Sequence, residues 1–276
     1  MTDLLPLMTL AAIIGVTGLL IGSFLNVVIH RVPAGMSVVR PRSACPQCHR
    51  AIRSFDNVPV VSWLVLGGRC RDCRAPISAR YPLVELGTGL LFAFVALWAV
   101  AVSRADGQAA SIPVVVALLY LMAISVALTM IDLDTHRLPN AVVLPAYPVL
   151  IVLLGAASAL SGEWDALLRG VIGMFALTGA YLLLAVLVPG GMGLGDVKLA
   201  GVLGLVLAYL GWGPLAVGSF GAFLLGGTFA IVLIAQRHAD RRSGIPFGPW
   251  MVSGAWLGIF FGADVWNGYL TLIGLS

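Results

Sequence analysis

The four cysteines and two of the aspartates are the residues of this chain best suited to chemistry. The cysteines form two Cys-x-x-Cys pairs, Cys45-Pro46-Gln47-Cys48 and Cys70-Arg71-Asp72-Cys73. Paired knuckles of this kind let four thiolates reach one tetrahedral ion, and zinc is the usual occupant. The 21 residues between Cys48 and Cys70 make the loop slightly longer than the common pattern, which geometry allows. Four sulfur ligands close the coordination sphere and leave no position for water, so the expected ion is structural. It would hold together a segment with few large apolar side chains, which could not otherwise bury a core. His49, beside the first knuckle, reads as a bystander.

The aspartates of interest are Asp132, in Ile131-Asp132-Leu133-Asp134-Thr135-His136-Arg137-Leu138-Pro139-Asn140, and Asp196, in Gly193-Leu194-Gly195-Asp196-Val197-Lys198. Each stands at the edge of a long apolar run, where an ionisable group facing a bundle interior is a functional candidate. Two carboxyl groups held close together cannot both ionise easily, so one keeps a proton and the other acts as base on a shared water. Glycines beside Asp196 permit the close backbone approach that such a pair needs. An Asp at a helix N-terminus also serves as a simple cap, which is the plainer reading of Asp196. Asp134 competes with Asp132: at i and i+2 the two point to nearly opposite helix faces, so only one can face Asp196. Residue mechanics leave that choice open. Asp3, Asp106, Glu163, Asp165 and Asp240 fall in expected loops or tails.

The elements that must position these groups follow from composition. Of 276 residues, 60% are hydrophobic and 10% charged, against a charged share of roughly 25% in soluble domains. A bilayer needs about 20 apolar residues per helix. Runs of that kind recur near 8–29, 83–102, 112–131, 141–160, 168–188, 214–235 and 249–274, with a shorter one at 199–211. They are too continuously apolar for barrel strands. The expected fold is therefore an all-α integral membrane protein with eight transmembrane helices and a small zinc-binding insert between helices 1 and 2. The first run lacks a basic n-region and a cleavage site, so it is expected to remain as a helix rather than act as a removed signal.

Alternating helices place residues 30–82, 132–140, 189–198 and 236–248 on one side of the membrane. All sixteen Lys and Arg residues except Arg104 and Arg169 fall there, including the cluster Arg237, Arg241 and Arg242. The positive-inside rule makes that side cytoplasmic, with the N- and C-termini outside. The net charge of +4 is thereby explained by membrane orientation, and no nucleic-acid partner is expected. Three parts result: a first transmembrane helix (1–29), a cytoplasmic four-cysteine zinc-binding domain (30–82) and a seven-helix membrane domain (83–276). No internal repeat is evident.

Gly22-Ser23-Phe24-Leu25-Asn26-Val27-Val28-Ile29-His30-Arg31-Val32-Pro33, the cysteine knuckles, Tyr81-Pro82-Leu83-Val84-Glu85, the run from Asp132 to Asn140, Gly193 to Lys198, and Pro246-Phe247-Gly248-Pro249 occur in that order. In this combination the chain resembles the type IV prepilin leader peptidases over nearly its whole length. The Gly-x-Gly-Asp element alone is shared with presenilin-like proteases. The family pattern sets its first catalytic aspartate seven residues before the proline of an Ile/Leu-Pro pair, which lands on Asp132 rather than Asp134, and its second lands on Asp196. Met192 and Leu194 vary the glycine-rich stretch. The resemblance implies a membrane aspartic endopeptidase of the bacterial cytoplasmic (inner) membrane, with type IV prepilin or pseudopilin substrates. It also implies N-methylation of the new terminus with S-adenosylmethionine as methyl donor, although no methyl-donor fingerprint is visible in the residues. The leader of such a substrate is cytoplasmic, and charge counting puts both aspartates on that same face.

Two readings from other classes compete. One is a membrane transporter in which Asp132 and Asp196 carry ions, against which both carboxylates lie at one face and not near the midplane. The other is a scaffold whose cysteine insert docks partners.

Overall fold

A computed structural model describes residues 4–105, 111–188, 192–236 and 246–274. The basic cluster Arg237 to Arg242 and both extreme termini lie outside the described residues. Among those described there is no strand, and the β-type pairings are the isolated bridges Ala44–Ala51 and Arg69–Pro76. Long helices stand at all eight expected places: α1 (Leu4–Arg31), α3 (Arg80–Ala105), α4 (Ile112–Thr135), α5 (Asn140–Ser161), α6 (Trp164–Leu187), α7 (Leu194–Leu210), α8 (Trp212–Ala235) and α9 (Gly248–Leu272). A five-residue helix, α2 (Val61–Val65), lies within the insert. The backbone divides into two compact units, one ending at Ala127 and the other starting at Leu128.

Six of the long helices, α1, α3, α4, α5, α6 and α8, are long and apolar enough to cross a membrane. The other two differ from expectation for separate reasons. At 17 residues, α7 spans only about 25 Å against a hydrocarbon core of about 30 Å. It begins at Leu194, five residues before the apolar run, because the Gly-Asp-Val-Lys turn is helical without being apolar. Every residue from Leu199 to Tyr209 is buried, since α5, α6, α8 and α9 enclose the helix. Its last carbonyls would be orphaned in apolar surroundings, and Arg169 of α6 satisfies them: Nε donates to Ala208 O at 2.6 Å and Nη2 to Tyr209 O at 2.7 Å. In α9, polar and small residues including Ser253, Asp264 and Asn267 dilute the apolar character.

In the first unit α1 packs on α3 through small residues: a Cβ on Gly18 would lie 2.8 Å from Gly89 Cα, and one on Gly22 2.7 Å from Glu85 Cα. Close backbone approach of this kind holds helices together where lipid removes the hydrophobic drive. Asn26 finishes the contact, its Nδ2 donating to Tyr81 O at 3.1 Å. In the second unit α8 and α9 meet in the same way, with a Cβ on Gly258 falling 2.7 Å from Gly218 Cα.

Candidate active site and cysteine cluster

Asp132 sits in the last turn of α4, 5% exposed. The helix ends just beyond it, with His136 in a left-handed conformation (φ 53°) and its N–H donating to Asp132 O at 2.8 Å. That reversal sends Leu138 and Pro139 back to start α5. Asp134, two residues on, is exposed, as the i, i+2 geometry requires.

Asp196 occupies the first turn of α7. Gly193 is the N-cap, and its N–H donates to Asp196 Oδ2 at 3.0 Å. This is the half of a capping box that the third helical residue supplies; a glycine cap has no side chain to return the other half. The start of α7 is tied to α5 from two sides: Tyr147 OH donates to Lys198 O at 2.6 Å, and Lys198 Nζ donates to Asn140 Oδ1 at 2.9 Å.

Leu138 lies against the glycines beside both carboxyl groups. A Cβ on Gly195 would lie 3.0 Å from Leu138 Cβ, and one on Gly248 would lie 3.3 Å from Leu138 Cδ2 and 2.7 Å from Asp132 Oδ2. The two carboxyl groups consequently fall within electrostatic reach of one another. Asp132 also accepts a hydrogen bond from the Gly248 N–H, at 3.0 Å to Oδ2. Each carboxyl thus has one oxygen fixed by a glycine amide and, among the described residues, one left over for a third party, the arrangement a shared water requires.

Sequence assigns no role to Gly248, although Pro246-Phe247-Gly248-Pro249 is conspicuous. A backbone donor carries no side-chain signature, so only the fold reveals it. Its position is set by Phe247, the residue before α9, whose ring centroid lies 5.4 Å from that of Phe223 and 6.4 Å from that of Tyr181. Tyr181 and Phe223 are themselves 5.4 Å apart. Aromatic pairs at such separations hold orientation as well as area. Phe247, the residue before the amide, is therefore set against two aromatic rings.

The four cysteine sulfurs lie within 4.8 Å of one another, and Cys45 Sγ is 3.8 Å from Cys73 Sγ. Bonds of about 2.3 Å in a tetrahedron put sulfurs about 3.8 Å apart, so the set fits a zinc-sized ion. The surrounding backbone contains a repeat that the sequence did not reveal. In the first knuckle Cys45 N–H donates to Arg50 O, His49 N–H to Cys45 O and Ile52 N–H to Ser43 O; in the second, Cys70 N–H donates to Ala75 O, Arg74 N–H to Cys70 O and Ile77 N–H to Gly68 O. The bridges Ala44–Ala51 and Arg69–Pro76 correspond, as do the left-handed His49 (φ 56°) and Arg74 (φ 61°). Nothing but the cysteines and Ile52/Ile77 matches well in side chain, because backbone amides paired with backbone carbonyls make the motif.

Other backbone amides prepare the thiols unequally. The Cys48 and Gln47 N–H groups bring Cys45 down to about 7. At Cys73 the Ala75 N–H acts in the same direction, but desolvation and three neighbouring thiols outweigh it and push the group up to about 11. Four thiolates cannot gather without a cation, and binding one releases protons. An ion pair ties the knuckles across, with Arg50 Nη1 3.1 Å from Asp72 Oδ1, and a second ties the later knuckle to the 54–56 turn, with Arg71 Nη2 2.6 Å from Asp56 Oδ1. The Arg71 hydrogen bond holds Asp56 below its ordinary value. The stability Asp56 contributes is therefore present above the usual carboxylate range, about 3.9, and is lost as pH falls through and below it.

The purified protein is expected to carry one zinc per chain and to release it as acid protonates the thiolates. Metal analysis over a pH series measures this, and a metal-free protein with four reactive thiols at neutral pH contradicts it.

These features define a helical multi-pass membrane protein with a paired-carboxylate site and a separate cysteine cluster. Residues 16–99 match the bacterial peptidase A24 N-terminal domain, and residues 118–231, which include both aspartates, match the type IV leader peptidase family. A prepilin leader peptidase/N-methyltransferase of Aeromonas hydrophila is 38% identical over 92% of this chain and 91% of its own. Proteins of the same name from Stutzerimonas stutzeri and Pseudomonas aeruginosa are 36% and 35% identical, covering 92% and 94% of this chain and 92% and 93% of theirs. The chain belongs to the prepilin leader peptidase/N-methyltransferase family. No solved structure matches it significantly, and nothing in these comparisons supports the transport reading.

Proposed function

We propose that this protein is an aspartic endopeptidase of the bacterial inner membrane that removes the leader peptide from type IV prepilins or pseudopilins, with Asp132 and Asp196 as its catalytic pair. The observation that supports the reading is two carboxyl groups from helices far apart in the chain, each held through one oxygen by a glycine amide, with Leu138 packed against Gly195 beside one and Gly248 beside the other.

In this mechanism the pair shares one proton. The ionised member takes a proton from a water between them as the water oxygen adds to the scissile carbonyl. The protonated member hydrogen-bonds to the carbonyl oxygen as it becomes anionic. Collapse of the tetrahedral adduct breaks the C–N bond, and the leaving amine departs with the proton the base collected. Cys45, Cys48, Cys70 and Cys73 would hold a zinc ion, which would keep the insert folded and supply nothing to these transfers. S-adenosylmethionine, when bound, supplies the methyl group for the new N-terminus; the relatives' names support this second activity, and no residue of this chain is assigned to the donor.

Incubating purified protein with a prepilin and labelled S-adenosylmethionine tests both activities. The substrate is expected to shorten by its leader and acquire label. An intact prepilin refutes the peptidase assignment, whereas cleavage without label across several substrates limits the protein to proteolysis.

The basic asymmetry supports eight spans, with the insert of residues 30–82 and both aspartates on the cytoplasmic face and the two termini outside. Reporter fusions near Asn57 and at Ser276 are expected to report opposite sides. A cytoplasmic signal at Ser276 would overturn the eight-span topology.

A further inference from the structure

Within the Arg-rich insert runs an apolar stretch, Val58-Pro59-Val60-Val61-Ser62-Trp63-Leu64-Val65-Leu66, that neither the cysteine cluster nor the carboxylate pair uses. Its polar atoms are turned inward. Ser62, 7% exposed, donates through Oγ to Phe55 O at 2.9 Å and accepts the Val58 N–H at 3.0 Å. Trp63 Nε1 donates to Ile77 O at 3.1 Å. The apolar side chains of α2 point the other way: Val61, Leu64 and Val65 are 55%, 64% and 75% exposed. A water-facing surface would be arranged the opposite way round.

A hydrogen bond ties the start of α2 to α3. The Val60 N–H donates to Glu85 Oε2 at 2.7 Å, and Glu85, 9% exposed, is in the second turn of α3. Helical side chains lean toward the helix N-terminus, so Val60 is held beside the first turns of α3, where that helix starts its apolar span at Arg80. Leu83 and Leu86 on the same turns are 65% and 43% exposed. Val60 has a φ of 63°, a state β-branched residues rarely enter, so tertiary contacts rather than local preference set the direction of α2. The insert around it, residues 30–82, carries nine arginines against two aspartates, Asp56 and Asp72.

We propose that α2 is an interfacial anchor, its Val61, Leu64 and Val65 face seated in the headgroup boundary of the leaflet surrounding the start of α3, with exposed insert arginines such as Arg69 against anionic lipid phosphates. Short apolar faces flanked by basic residues sink about 5–10 Å into that boundary, and each nearby cation is drawn to an anionic leaflet. The occupant is lipid because the bond to Glu85 holds α2 beside the first turns of a membrane-crossing helix whose Leu83 and Leu86 are themselves exposed, and because the insert's charge complements anionic headgroups. The anchor requires only that α1 and α3 cross the bilayer, and holds whether or not the chain cleaves prepilins.

The test uses full-length protein carrying a photo-crosslinking benzophenone side chain at Leu64, reconstituted in phosphatidylcholine and phosphatidylglycerol vesicles with prepilin present. Irradiation is expected to yield phospholipid adducts on the Leu64 peptide at about tenfold the yield at Gln47, an exposed residue of the first cysteine knuckle. Equal yields at the two positions overturn the proposal, as do adducts directed to prepilin or to a second copy of the chain. The comparison is repeated at Val65, so that misfolding of the Leu64 variant alone does not decide the outcome.

Discussion

Asp132→Asn and Asp196→Asn should each lower leader cleavage by about three orders of magnitude or more, the loss expected when a group that moves protons can no longer do so. Asn matches Asp in size and can still accept the Gly248 or Gly193 amide, so each variant should fold and insert normally. What it cannot do is share a proton or activate water. Because the two carboxyls work as a unit, the double variant should be barely slower than either single one. Additive losses would instead indicate two independent roles. Asp134→Asn should cleave at close to the unsubstituted rate, since Asp134 is exposed on the other side of the helix end. An Asp132→Asn protein that inserts and cleaves prepilin at a near-normal rate removes Asp132 from the mechanism.

Gly248→Ala should be the most damaging substitution of a residue that offers no chemistry of its own. Its new Cβ would stand 2.7 Å from Asp132 Oδ2 and 3.3 Å from Asp132 Cγ, so the carboxyl must swing away from its position. The backbone there is the first residue of α9, with an ordinary φ, and alanine is a better helix former than glycine. Stability should hold or rise while catalysis fails. Misplacing a reacting group by about 1 Å costs on the order of 100-fold, and that loss should fall on kcat with KM little changed. Gly227→Ala is the control, since a Cβ at that helical position meets nothing within 4 Å. Equal kcat for Gly248→Ala and Gly227→Ala would show that the amide at residue 248 does not set the position of Asp132.

The elements themselves were legible from residue order alone. Apolar runs near bilayer length have one stable solution when the backbone cannot turn to water, which is why α1, α3, α4, α5, α6 and α8 stand where hydropathy puts them. The cysteine pairs were equally plain, because metal ligands must be side chains and their spacing is local. Asp132 and Asp196 stood out as carboxyls at the edges of apolar runs. Their partners did not. The Gly248 amide reaches Asp132 across 116 residues, and the Gly193 amide at Asp196 is likewise main chain; neither donor depends on a side chain that a sequence displays. The repeat of the two knuckles is hidden for the same reason, since it resides in amides and left-handed turns at His49 and Arg74 more than in residue identity.

Packing decided the rest. Composition alone makes α7 a short membrane helix, and only its enclosure by four neighbours makes it the buried axis of the second unit. The exposed face of α2 follows from several contacts beyond its own turn, Trp63 with Ile77, Ser62 with Phe55 and the Val60 amide with Glu85, the last holding Val60 in a conformation its own side chain disfavours. Side-chain type and spacing encode local structure and candidate chemistry, because both act within a few residues. Which backbone amide meets which carboxyl, and which helix is hidden from lipid, depend on contacts between segments far apart in the chain, and those exist only once the helices have packed.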